Sequence, residues 1–247
     1  MYRKGGKTDK RLKKLAWRWK KPAWAENQGI WLPCNQPGIA PGIARQIYFG
    51  DYESKEVDIV TSKLEAGDTV LEVGAGLGYL SAFCAKRIGS ERVHTFEANP
   101  ALLPLIQAAH RRNGISPGVH NVLLARGEGE CTFYVEPEFW ASSTTARSSQ
   151  ARAIKVPQRD LNKELRRLAP TFLIVDIEGG EGEFFAYAEL TGVNKICLET
   201  HPDVIGDDGV STIFSTLLAQ GFVIDFSCIR KNVFFFYRKP ERGADGR

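Results

Sequence analysis

Six carboxylates and one histidine stand where they can do chemistry. Glu72 lies two residues before a glycine run, Val70-Leu-Glu-Val-Gly-Ala-Gly-Leu-Gly-Tyr-Leu-Ser81, and Glu97 ends the next apolar stretch. Asp176, Glu178 and Glu181 crowd into Ile174-Val-Asp-Ile-Glu-Gly-Gly-Glu181, and Glu199 stands two residues before His201. The glycines follow G-x-G-x-G, one residue short of the dinucleotide spacing G-x-G-x-x-G, with Tyr79 in the place of the late glycine. A carboxylate as near as Glu72 repels a pyrophosphate but suits a cationic amino-acid end group. An acid at the second strand end binds ribose hydroxyls. Glu72, Gly74, Ala75, Gly76, Gly78, Tyr79, Glu97 and Ala98 therefore read as a nucleoside-cofactor pocket. The plain alternative is a glycine turn that holds no ligand. Asp176, Glu178 and Glu181 should repel one another unless cations, amides or a metal offset them. Glu181 also reads simply as an acid at a helix N-terminus.

These groups need elements to hold them. Residues 69–73 form a short β-branched run and read as a buried strand, with a helix from Tyr79 to Ile88 behind the glycine turn. Strands are expected at residues 92–96, 119–124, 131–135, 154–156, 171–176 and 195–199. Helices are expected at residues 53–64, 100–112, 161–168, 181–190 and 212–220. Pro100 behind Asn99 suggests a helix start, and Pro104 is expected to strain the first turns. Residues 222–227 and 233–237 read as a closing hairpin. Strands alternating with helices imply an α/β doubly wound, mostly parallel sheet with an antiparallel edge. Ligands of such sheets bind beyond the carboxyl ends of the strands, where Glu72, Glu97, Asp176 and Glu199 all fall.

Composition narrows the partners. The formal charge is +4, but residues 1–21 carry ten Lys or Arg and one acid, which leaves the remainder at −5. The chain divides into a basic arm (1–21), a Pro/Gly/Trp-rich lead-in of irregular structure (22–50) and the main domain (51–240). The arm has helical apolar spacing at Leu12, Leu15, Ala16 and Trp19 and suits an anionic surface, or else a tail packed on its own acidic body. An acidic body disfavours a nucleic-acid partner. No apolar run is long enough to span a membrane, and no leader-like segment opens the chain, so a cytoplasmic protein is expected. Five scattered cysteines without a C-x-x-C pair read as reduced thiols. His94, His110 and His120 read as structural.

The glycine motif, Phe96-Glu-Ala-Asn-Pro100, Asp176-Ile-Glu-Gly-Gly-Glu181 and Leu198-Glu-Thr-His201 together resemble the FkbM-type methyltransferase family, over residues 46–237. Asp51-Tyr-Glu53 and residues 156–161 also fit. Ile174 stands where the family often has Lys, Glu72 where Asp is common, and Gly76 where Asn is common. The resemblance implies a seven-stranded sheet of class I methyltransferase type and S-adenosylmethionine as cofactor. It further implies O-methylation of a hydroxyl on a sugar or other small molecule. Asp176 falls near the methyl donor. His201, oriented by Glu199, is the candidate general base, and Asp176 and Glu178 are further candidate catalytic groups. No metal is assigned, with Asp176, Glu178 and His201 as an alternative ligand set for a hard cation. Residues 139–151, with Trp140 and Ser142 to Thr145, form either a cover over the acceptor or a plain solvent loop. Competing readings are an NAD-dependent oxidoreductase, against which the early third glycine counts, and a cofactor-binding protein without catalysis.

Overall fold

The computed structural model describes residues 16–17, 19–136 and 142–239. The chain enters through an antiparallel hairpin, β1 (Trp24–Asn27) and β2 (Ile30–Pro33), followed by α1 (Pro41–Phe49) and α2 (Ser54–Lys63). Next come β3 (Val70–Val73), α3 (Tyr79–Ile88), β4 (Val93–Phe96), α4 (Leu103–Asn113) and β5 (Gly118–His120). An inserted segment holds β6 (Leu123–Ala125), β7 (Gly129–Val135) and β8 (Arg152–Asp160), and leads into α5 (Leu161–Leu168). The chain closes with β9 (Phe172–Val175), α6 (Glu181–Tyr187), β10 (Lys195–Glu199), α7 (Pro202–Ala219), β11 (Phe222–Ile224) and β12 (Val233–Arg238).

Seven strands form the main sheet in the order β11-β12-β10-β9-β3-β4-β5. The ladders from β10 through β5 are parallel, and β12 runs antiparallel to β10 and β11. The expected doubly wound, mostly parallel seven-stranded sheet, with its antiparallel C-terminal hairpin, is the one found. The central strands β3 and β9 are buried along their whole length, as strands covered on both faces must be. Alternation sorts their side chains. Val70, Phe172, Ile174 and Cys197 pack toward α2 and α3, while Leu71, Val73, Leu173, Val175 and Leu198 pack on the other face with Phe184 and Leu217. The same parity puts Glu72, Asp176 and Glu199 on the α2 side. Each buried Leu, Val or Phe contributes about 1.5–3 kcal/mol, so register is strongly held and the acids keep their face.

Several boundaries differ from expectation. The lead-in is not irregular. Its hairpin is fastened to the end of α4, where Asn113 accepts from the Trp31 N–H at 2.9 Å and donates to its carbonyl at 2.8 Å. Residues 119–124 are not one strand, because the chain leaves the main sheet at Asn121, whose amide donates to the carbonyls of Glu97 and Ala98. Pro100 lies ahead of α4, and Pro104 sits in its first turn, where a missing N–H leaves no bond unmade. The strand expected at 154–156 extends to nine residues and forms a three-stranded sheet, β6-β8-β7. Helix α7 begins ten residues earlier than expected and is broken at Gly206 (φ 71°). Trp17 packs on Tyr48 at 5.0 Å between ring centroids, whereas Trp19 is exposed. Most of the basic arm and Trp140 lie outside the described residues.

Candidate active site

A cavity of about 740 Å³ opens at the carboxyl ends of β3, β4, β9 and β10, within the ~300–1,000 Å³ usual for small-molecule sites. Its wall includes Gly74, Gly76, Glu97, Ala98, Asp176, Glu178 and His201, so it joins both sequence constellations in one space. Glu72, Ala75, Gly78 and Tyr79 do not line it.

At one end the glycine turn and Glu97 bind each other. Glu97 Oε2 accepts the N–H groups of Ala75 at 3.1 Å and Gly76 at 3.2 Å, and Oε1 accepts that of Asn99 at 2.7 Å. A carboxylate has about four acceptor positions, so three amides leave room for a ligand hydroxyl. Burial pushes Glu97 up to about 7 against the pull of these amides. Gly74 (φ +89°) admits no side chain, since a Cβ would lie 1.8 Å from the Asp176 carbonyl oxygen. The turn is thus pressed against the end of β9, which brings Glu97 and Asp176 onto the wall of one cavity. At Gly76 (φ +51°) a Cβ would meet the Tyr52 hydroxyl at 2.6 Å. That hydroxyl accepts the Leu77 N–H at 3.3 Å, and the Tyr52 ring stacks on Tyr79. Tyr79 points away from the cavity and donates to the Asn27 carbonyl. Glu72 is buried behind the turn, facing Ser81 and Thr95, and burial raises it to about 8.

The other end is acidic. His201 caps α7, with Pro202 fixing the first turn. Its Nδ1 pairs with Glu181, a fully buried carboxylate, and its Nε2 lies 3.3 Å from Glu178 and 3.6 Å from Asp176. Glu181, rather than Glu199, therefore orients the ring. Burial alone lowers an imidazole, but Glu178, Glu181 and Asp176 outweigh it and raise His201 to about 11. Desolvation and the charge of Glu199 hold Asp176 well above the ordinary carboxylate range, although His201 pulls it down. Glu178 is also held by Arg147 at 2.7 Å. Glu199 accepts from Asn232 at 2.8 Å and lies 3.6 Å from Lys55. The donor atoms that come within 4.8 Å of one another belong to Asp176, Glu199 and His201, not to a set with Glu178.

Sequence reasoning placed the helix α2 and the loop at residues 139–151, but missed the acids that α2 brings to the cavity and the Arg147 that the loop brings to Glu178. Glu53 and Glu56 line the cavity, and Glu56 is 3% exposed. The signal was present, because Glu56 shares the helix face of Ile59 and Val60, an acid where apolar residues are due. Arg147 had no such signal. It reaches Glu178 because buried Glu136 gathers its loop, accepting from Arg147 N–H, Ser148 N–H and Ser148 Oγ. Ser142, Ser143 and Thr144 of that loop line the cavity.

Sheet order, glycine turn and cavity define an α/β protein with a small-molecule site at the carboxyl ends of its central strands. The model of the methyltransferase FkbM domain matches residues 72–224, more than half of the chain, so the chain belongs to the FkbM methyltransferase family. The family depends on S-adenosylmethionine. No curated protein matches in sequence. Solved structures similar to the chain include a precorrin-6y C5,15-methyltransferase from Geobacter metallireducens GS-15 (12% identity, TM-score 0.47, 84% of this chain and 94% of that one). Another is the O-methyltransferase from Bacillus cereus in complex with SAH (12%, 0.44, 93% and 97%). A third is the SAH-bound methyltransferase PaMTH1 of Podospora anserina (10%, 0.45, 97% and 99%). No helix among the described residues is long and apolar enough to cross a membrane.

Proposed function

We propose that the chain methylates a hydroxyl oxygen of a small molecule, a sugar being one such acceptor. The observation that carries this reading is Asp176 Oδ1. It is buried, has no hydrogen-bond partner among the described residues, and belongs to a side chain on the cavity wall. A hydroxyl donor satisfies it. S-adenosylmethionine, when bound, supplies an electrophilic methyl group, and Gly74, Gly76, Glu97 and Ala98 are the residues that would hold it. The three amides on Glu97 set its carboxylate toward a ribose, and the apolar wall at Val122, Leu124 and Phe133 suits a flat base. Asp176 then holds the acceptor and takes its proton. The positive charge of His201 favours the ionised form of Asp176, which its other neighbours make more basic than an ordinary carboxylate, while a ring protonated at neutral pH has no site for a second proton. In this reading His201 is an imidazolium that keeps the carboxylates together, and the base role expected of it passes to Asp176.

The test is incubation of the chain with S-adenosylmethionine labelled in the methyl group and a panel of hydroxylated small molecules. An O-methyl product identified by mass and carbon NMR supports the reading. Transfer only to nitrogen or carbon would sink the hydroxyl assignment. SAH binding with no transfer across a broad panel would favour a cofactor-binding protein without catalysis.

A further inference from the structure

We propose that Asp176, Glu199 and His201 bind one hard divalent cation, Mg²⁺ or Mn²⁺ in kind, at the acidic end of the cavity. One donor atom from each lies within 4.8 Å of the other two. Ligands at 2.0–2.6 Å from a single ion stand up to about 4–5 Å apart, so one ion reaches all three. The placement follows from the fold. Asp176 follows β9, Glu199 ends the neighbouring β10, and strand alternation turns both toward α2. His201 is nine-tenths buried, and Glu181 occupies its Nδ1, which leaves Nε2 directed at the acids. A carboxylate on the far ring nitrogen is the common device for orienting a metal-bound imidazole.

Two further observations point to a cation. Asp176 Oδ1 is buried without a hydrogen-bond partner among the described residues. Glu56, 3% exposed, lines the same cavity and lies against Glu199, with Lys55 beside the pair and Asp176 as a further acid at the same end. Carboxyls gathered away from water favour a further positive charge among them. Two carboxylates and one imidazole suit an oxygen-preferring ion better than one that favours thiolates. On binding, the ion takes the place of the proton on Nε2, and an acceptor hydroxyl that meets Asp176 Oδ1 in its absence then meets the ion. The site stands on geometry alone; only its use in holding an acceptor hydroxyl rests on the methyl-transfer reading.

The experiment is titration of the full chain with Mn²⁺, followed by electron paramagnetic resonance, with no acceptor present. One saturable Mn²⁺ per chain is expected. Glu199→Gln and Asp176→Asn should each weaken it by about 10–100-fold or more, while Glu183→Gln, on the same cavity wall but outside the trio, should leave it unchanged. Cooperative melting of each variant, and its shift with SAH, reports folding separately. If Glu199→Gln does not melt cooperatively, His201→Asn takes its place. Absence of a saturable site in the wild type, or equal Mn²⁺ affinity in a folded Glu199→Gln, overturns the proposal. A wild type that binds Mn²⁺ but shows no SAH shift upholds the cation site and counts against the cofactor reading instead.

Discussion

The two ends of the cavity are built in opposite ways. The Glu97 end is made by two adjacent strand ends and one contiguous turn, and its carboxylate is met by backbone amides. The Asp176 end is assembled from α2, β9, α6, β10, α7 and an inserted loop, and its carboxylates are met mainly by side chains, His201, Arg147, Lys55 and Asn232. Backbone donors come with the fold and survive most substitutions. Side-chain partners depend on many separate positions. The first arrangement keeps one ligand, and the second can be altered to suit another.

The sharpest way to separate the ends is Asp176→Asn. It should lower turnover by about 10²–10⁴-fold while the melting shift with SAH persists. Loss of both together would mean the ends are not independent. The opposite case is Gly74→Ala, where the turn presses on β9. The added Cβ conflicts with a carbonyl at a left-handed φ, which should cost about 3 kcal/mol or more and lower melting by roughly 6–12 °C. Because Gly74 joins the two ends, binding and turnover should fall together.

Glu97→Gln breaks only the first end. An amide group presents N–H donors to N–H donors, so SAH affinity should drop by the ~1.5–3 kcal/mol of a charge-assisted bond, read by calorimetry. Turnover at saturating cofactor should stay near wild type. The effect at Glu72, buried behind the turn, falls on stability rather than on binding or turnover. Its folded pKa is about 8, above the unfolded value of about 4.5. The folded state therefore retains a proton that the unfolded chain has lost, and stability falls as pH rises from 4.5 to 8. Glu72→Gln has no such proton. Its melting advantage over wild type should grow across that window, by at most about 1.4 kcal/mol per pH unit, and level off above pH 8. A parallel offset at every pH would show that Glu72 is ionised in the fold. Unchanged SAH affinity in this variant would assign it to packing rather than to the cofactor.

The same contrast explains what could be read from sequence. Helices 79–88 and 161–168 and strand 195–199 coincide with the expected residues, because each is a continuous period bounded by glycine, aspartate or a polar turn. The glycine turn was legible for the same reason. The break at Asn121 was not, since Val119, Val122 and Leu124 read as one apolar run and only a side-chain bond to the Glu97 carbonyl redirects the chain. The early start of α7 was hidden by Gly206 and Gly209, which read as loop. Asp176, Glu178, Glu181 and His201 were found as candidates, but their roles depend on the pairing of His201 with Glu181 and on Arg147, which comes from the inserted loop. Spacing along the chain carries no record of such partners.

The loop gathered by Glu136 has one more consequence. Its two feet are tied at the end of β7, at the Tyr134–Ser143 bridge and by Glu136 to Arg147 and Ser148, while the Arg147 side chain reaches Glu178 beyond β9. The stretch between those feet can be lengthened, shortened or rewritten with no strand of the main sheet disturbed. The molecule is in this sense modular: a main sheet fixed by its register carries a surface segment fastened to a separate three-stranded sheet.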